Sequence, residues 1–201
     1  MPEFIYNDER HEYTLDGRKL PNVTTIIENA GLVDTTWYNE QALLRGKAAH
    51  EAIKYLHDDD LDENSLDNVV KPFIEGLKLF NAQNPREIIL FETPCYHRLY
   101  LYAGTPDEFS IWNDEPCVID YKTGSMPKWA ALQTAAYSDL LCNNMKVVQA
   151  IMKTKAKKMP RRYGLELKAD GSYKLHRFDN RNDFNVFLSA LNINNWKESI
   201  K

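Results

Sequence analysis

Apolar and polar positions change period several times along the chain. Phe4-Ile5-Tyr6 and Tyr13-Thr14-Leu15 are short β-prone runs and Asp16-Gly17 is a strong turn signal, which predicts an opening hairpin. Pro21-Asn22-Val23-Thr24 leads into Ile26-Ile27, a short helix with Thr24 as its expected N-cap. Over residues 37–56 Ala42, Leu43, Ala49, Ile53 and Leu56 fall at helical spacing, and a second helix is expected over 66–80. Between them, Asp58-Asp59-Asp60 through Asp62-Glu63 reads as a solvated interhelical loop. The period then shortens. Residues 87–93, 98–103 and 108–112 are rich in Ile, Leu, Tyr and Phe and predict strands, and 113–116 predicts a turn. Cys117-Val118-Ile119-Asp120-Tyr121 is a more apolar strand, ended by Thr123-Gly124. Helical spacing returns over 129–141, and 147–152 reads as another buried strand. A late hairpin is expected from 163–167 and 172–178 around Asp170-Gly171. Asn180 is the expected cap of a final helix carrying Phe184, Phe187, Leu188 and Leu191.

This order predicts an α/β fold with a central mixed β-sheet flanked by helices, plus an N-terminal and a late β-hairpin. No repeat, low-complexity stretch or linker divides it, so one domain is expected over 1–201. Hydrophobic residues at 43% and charged residues at 27% are an ordinary globular balance. No apolar run reaches the roughly 18 residues of a membrane span, so no membrane association is expected. The opening residues lack a basic stretch followed by an apolar one, which predicts no secretion signal. Cys95, Cys117 and Cys142 have no metal-site spacing and suit a reducing compartment; the expected location is the cytoplasm, of a host cell if the chain is phage-encoded.

A net charge of −4 does not advertise a nucleic-acid binder, yet local charge outweighs the sum. Lys153, Lys155, Lys157, Lys158, Arg161 and Arg162 stand close together with no acid among them. They read either as phosphate contacts, with strongly salt-dependent binding, or as a solubilising loop.

Candidate chemistry centres on Gly104-Thr105-Pro106-Asp107 and Asp120-Tyr121-Lys122. A hairpin between them can return both carboxylates to one sheet edge. Alternation along a strand puts Asp120 and Lys122 on the same face. Two carboxylates beside a lysine form a hard-oxygen cation site next to a positive group, which is what phosphodiester hydrolysis requires. The alternative is that Asp120 and Lys122 do no more than neutralise each other. Glu166-Leu167-Lys168 repeats the acid-x-Lys pattern without an upstream partner and reads as an exposed strand edge.

Pro106-Asp107 followed by Asp120-Tyr121-Lys122 resembles the PD-(D/E)XK nuclease superfamily. Arg45-Gly46-Lys47-Ala48-Ala49-His50 is similar to the helix motif of its RecB-like branch, and Gln133-Thr134-Ala135-Ala136-Tyr137 to that branch's Q-x-x-x-Y motif. Tyr13, Gly17 and Val23-Thr24-Thr25 look, more loosely, like the front end of phage-encoded and mitochondrial genome-maintenance relatives. The resemblance implies a restriction-endonuclease-like core. It implies that His50, Asp107 and Asp120 ligate Mg²⁺ or Mn²⁺, with the Tyr121 carbonyl as a further ligand, and that Lys122 is catalytic. Glu92 and Arg45 would support this set from behind. Gln133 and Tyr137, four apart on one helical face, would contact the DNA backbone or support the site. They also read as ordinary helix-surface and core residues. Some RecB-like nucleases hold an iron–sulfur cluster on four cysteines; this chain has three, none beyond Cys142, so no cluster is expected.

The implied activity is metal-dependent hydrolysis of DNA, single-stranded or with free ends, with exonuclease favoured over endonuclease by analogy with the branch. Recombination or replication proteins are the expected partners. The rival is a catalytically silent nuclease fold that grips DNA or a partner. Trp37, Tyr38 and Trp129 are candidates for stacking on unpaired bases or for core packing. His11, His57, His97 and His176 receive no role.

Overall fold

The computed structural model describes residues 2–33, 40–155 and 159–200, with the side chains of residues 154 and 155 excepted. Strands β1 (Phe4–Asn7), β2 (Glu12–Leu15) and β3 (Arg18–Leu20) precede helices α1 (Val23–Asn29), α2 (Glu40–His57) and α3 (Lys71–Gln83). Strands β4 (Glu87–Phe91), β5 (Cys95–Tyr96), β6 (Ala103–Gly104), β7 (Glu108–Trp112) and β8 (Glu115–Thr123) follow. Helices α4 (Ala130–Asn144) and α5 (Lys146–Lys155), strands β9 (Arg161–Leu167) and β10 (Tyr173–Arg177), and helix α6 (Asp183–Ser199) complete the order.

The main sheet has the order β10-β9-β8-β7-β4, with only the β8–β9 pair parallel. A parallel neighbour needs a crossover, and α4 and α5 supply it. The expected mixed sheet flanked by helices is therefore present. Strand β8 is covered on both faces, which is why its run is almost continuously apolar. Ile119 and Tyr121 pack with Ile53, Phe73 and Leu77 of α2 and α3. Val118 packs with Ile26, Tyr137, Leu140 and Phe187 of α1, α4 and α6. Asp120 and Lys122 alternate onto this second face. Among the described residues no helix is long and apolar enough to cross a membrane.

Several expectations need correction. The opening hairpin is a three-stranded meander: Asp16 and Gly17, both at positive φ, turn β2 into β3, which the short polar run Arg18–Leu20 does not advertise. Asn22, not Thr24, caps α1, its side chain accepting the Thr25 N–H at 2.8 Å. Residues 98–102 form no strand, because the His97 Nδ1 accepts the N–H groups of Leu99 and Tyr100 and folds the chain back. Residues 147–152 belong to α5: Val148, Ile151 and Met152 bury one helical stripe while Val147 is exposed. The last helix starts at Asp183 after Asn182, and Asn180 instead closes the preceding turn by accepting the Asn182 and Asp183 N–H groups. Strand β9 lies inside the sheet, so Glu166 is no edge residue; it aligns with Lys122 and bonds His176. The expected helix start at Trp37, and Tyr38 beside it, lie outside the described residues.

Gly104 shows how packing selects a residue next to the candidate site. A Cβ there would stand 2.7 Å from the Tyr137 ring and 3.3 Å from Val23. Gly104→Ala should cost about 1–3 kcal/mol of stability by overpacking. Urea denaturation checks this, and an unchanged midpoint would show that Tyr137 gives way freely.

Candidate active site

The site forms where the C-terminal half of β8 meets the start of β7 and the middle of α2. Asp107 lies just before β7, and its Oδ2 accepts the Tyr121 N–H of β8 at 2.6 Å. Its carbonyl accepts the Glu92 N–H at 2.9 Å, tying the loop after β4 into the same corner. Glu92 sits at φ 38, an unusual backbone for a side chain of its kind. Its carboxylate stands 3.8 Å from His50 Nδ1, so α2 reaches the corner through His50.

Asp120 is 1% exposed, and its Oδ2 is 2.6 Å from Lys122 Nζ. That oxygen has no hydrogen-bond partner of proper geometry, so the contact is ionic rather than directional. Lys122 also stands 5.3 Å from the centroid of Trp129, just ahead of α4.

Burial, then the charge of Asp120, pushes the Asp107 carboxyl up to about 7, against the opposing pull of His50 and Lys122. Burial opposes protonation of His50, but the Asp107 charge and the Glu92 contact outweigh it and raise its pKa. Tyr137 is held far above its ordinary value by burial and by the charges of Asp120 and Asp107, so its hydroxyl lies within their electrostatic reach. The corner therefore contains more negative charge than it can hold bare. A proton or a cation relieves it.

Among the described residues no group of three or more His, Cys, Asp or Glu side chains is placed to hold a metal ion. By donor type the Asp107 and Asp120 carboxylates and a neutral His50 suit a hard divalent cation, with the two carboxylates supplying the negative charge. Tyr121 serves the corner through its N–H, while its ring turns to the other face and its hydroxyl meets Glu108. The three cysteines are free thiols raised to about 12 by burial.

A scan against protein-family models finds no match for this chain, and a search of curated proteins finds none either. The chemistry of the corner carries the functional reading.

The other expected residues divide. Gln133 and Tyr137 are both buried, with Gln133 Nε2 donating to the Tyr137 hydroxyl at 3.2 Å and approaching Thr24 Oγ1 at 3.5 Å. Both side chains therefore lie inside the protein rather than on a solvent-facing surface. Arg45 turns to α3 and lies over the Phe73 ring at 5.8 Å. Lys153 is exposed on α5, whereas the side chain of Lys155 and all of Lys157 and Lys158 lie outside the described residues. Arg161 pairs with Glu115. Arg162 donates to the carbonyls of Ala131 and Asn180 and to Asp183, so it fastens α6 to α4, and a phosphate contact from it would break those bonds.

Sequence reasoning missed two supports. Tyr13 sends its hydroxyl from the meander to Thr105 at 2.8 Å, two residues before Asp107. Beneath the site, Arg86 and Glu108 form a buried ion pair joined by Ser110 and Tyr121. Only the alternation of Glu108 and Ser110 onto one face of an apolar strand hints at the latter.

A pH test follows from Asp107. The folded chain holds its proton more tightly than the unfolded chain, where aspartate titrates near about 3.9. Its contribution to stability is complete below that value and is lost as pH rises towards about 7. In chelator, Asp107→Asn should gain melting temperature relative to the unmodified protein between about pH 4 and about pH 8. Saturating Mg²⁺ should close the gap. A gap independent of pH would mean that Asp107 is not crowded by negative charge.

Proposed function

We propose that the protein is a metal-dependent nuclease hydrolysing DNA phosphodiester bonds, built on a restriction-endonuclease-like core of the RecB-like PD-(D/E)XK kind. The observation that carries this reading is the juxtaposition of Asp107 and Asp120, with Lys122 on the face of Asp120 and His50 within electrostatic reach of Asp107. Asp107, Asp120 and His50 would hold Mg²⁺ or Mn²⁺, with the Tyr121 carbonyl as a further oxygen donor. The bound cation supplies a Lewis acid that offsets charge on the phosphoryl oxygens.

The protein's own groups do the rest. Lys122 orients the attacking water and neutralises negative charge growing on the phosphate. The Tyr121 N–H fixes the Asp107 carboxylate. Glu92 orients His50, and Gln133 with Tyr137 backs the two carboxylates. Action on DNA ends is proposed from the likeness to the RecB-like branch, with recombination or replication as the process and the cytoplasm as its place.

The absence, among the described residues, of a group of three such side chains placed to hold a metal ion favours one rival, a silent module that binds DNA or a replication partner. A time course on end-labelled single- and double-stranded DNA with Mg²⁺, Mn²⁺ or chelator separates the two. Metal-dependent loss of DNA, absent in Asp120→Ala, supports the nuclease. DNA binding without cleavage under any metal supports the module.

A further inference from the structure

The register of three neighbouring strands sorts the side chains on one face of the sheet into rows. Asp120, Gly164 and His176 make an inner row across β8, β9 and β10, and Lys122, Glu166 and Lys174 make an outer row. Neighbours within a row are about 4.8 Å apart, the spacing of paired strands. Asp107 meets β8 from the opposite side, where β7 lies, so the rows lead from the candidate site towards the β10 edge.

The two rows differ in what covers them. Met126, on the return from β8 to α4, lies over Gly164, where an added Cβ would stand 2.6 Å from the methionine methyl. The outer row opens to solvent. Side-chain exposure is 1% at Asp120 but 19% at Lys122 and 16% at Glu166, and Lys174 on the edge strand is exposed. Tyr173 and Leu175 alternate onto the other face and pack with α2 and α3.

His176 joins the rows, with its Nε2 2.6 Å from Glu166 Oε2. An ionised carboxylate only accepts, so Nε2 carries the proton and Nδ1 is the ring's second bonding position. Against a phosphate oxygen that nitrogen donates as well, and the ring becomes an imidazolium bridging two acceptors. The Glu166 charge, which alone would repel a nucleic acid, is then offset by His176 and by Lys174 beside it. The outer row thus complements a phosphate where the candidate site opens.

We propose that His176, held by Glu166, and Lys174 form a subsite for the DNA phosphate next to the scissile one. This rests on the nuclease reading. The strand runs from the corner of Asp107 and Asp120 across the ends of β8 and β9 to the β10 edge.

The salt dependence of DNA binding tests the subsite without cleavage. Anisotropy of a labelled duplex with a single-stranded tail is followed against KCl, using Asp120→Asn protein in Mg²⁺. In that background Lys174→Gln and His176→Gln should each weaken binding about three- to tenfold and lower the slope of log affinity against log salt by about 0.7–0.9, the value of one phosphate contact. Unchanged slopes in both variants would overturn the subsite, because damage to the fold alone does not change the number of phosphates neutralised. In ¹⁵N-histidine spectra of the complex, both ring nitrogens of His176 should show imidazolium shifts; a ring that keeps one bare nitrogen would overturn its phosphate contact. With Asp120 intact, both variants should raise KM with kcat nearly unchanged. An equal loss in kcat would place His176 in the reaction itself and sink the assignment. Should His176→Gln fail to fold, Lys174→Gln on the exposed edge still decides. The predicted slopes without cleavage by the unsubstituted protein under any metal would keep the subsite and overturn the nuclease reading. Failure to bind DNA would overturn both.

Discussion

Asp120→Ala should reduce metal-dependent DNA cleavage by at least about a thousandfold while leaving the chain folded. The expectation rests on where the carboxylate sits. Asp120 is on the central strand, almost wholly buried, and its Oδ2 lacks a directed hydrogen bond. Little of the fold depends on it, because the strand is held by its ladders to β7 and β9. Removing it also relieves the charge that crowds Asp107, so the metal-free variant should be no less stable than the unsubstituted protein. Lys122→Ala should lower kcat about a hundred- to a thousandfold, the effect typical of one lost transition-state contact. Calorimetry with Mg²⁺ or Mn²⁺ tells the two residues apart: Asp120→Ala should lose cation affinity and Lys122→Ala should keep it. If Asp120→Ala retains full activity with the fold intact, the catalytic corner lies elsewhere.

The parts of this site legible in the sequence are those that share a short chain segment or a regular period. Asp120 and Lys122 declare their common face through strand alternation, and the apolar run before them marks a covered strand. The loop bearing Asp107 returns to that strand because β7 and β8 are consecutive and antiparallel, the commonest way for neighbours to pair. What was hidden depends on contacts between distant elements. Val148, Ile151 and Met152 look like a buried strand in a run, and only the core of α4 and α6 shows which stripe is buried. Nothing in the sequence around His97 marks it, yet its ring takes two backbone N–H groups and removes a strand from the expected order. Arg162 stands among basic neighbours in sequence, while three-dimensional packing gives it acceptors on α4, the 180 turn and α6. Charge read along the chain says nothing of such partners.

The most consequential hidden element is the pair beneath the site, and it gives the largest expected effect on stability. Arg86 and Glu108 are 3% and 0% exposed, with Nε to Oε1 at 2.5 Å and Nη2 to Oε2 at 2.6 Å. The guanidinium also lies over the Phe80 ring at 4.5 Å. Such a two-pronged pair is satisfied as long as both members are present. Arg86→Met keeps much of the stem's volume but leaves Glu108 as an uncompensated charge in the core of α2, α3 and the sheet. It should cost about 3–5 kcal/mol. For a chain of this size that is a fall of about 6–20 °C in melting temperature. Adding Glu108→Gln should recover part of the loss, because the buried charge is then gone although Ser110 and Tyr121 still have an acceptor. The consequence reaches the site through one residue. Tyr121 binds Glu108 with its hydroxyl on one face of β8 and Asp107 with its N–H in the strand plane. Disturbing the pair should therefore weaken cation binding as well as the fold, and the double variant should recover both together. If stability returns in the double variant while cation affinity stays low, Arg86 serves the fold alone and the coupling through Tyr121 is absent.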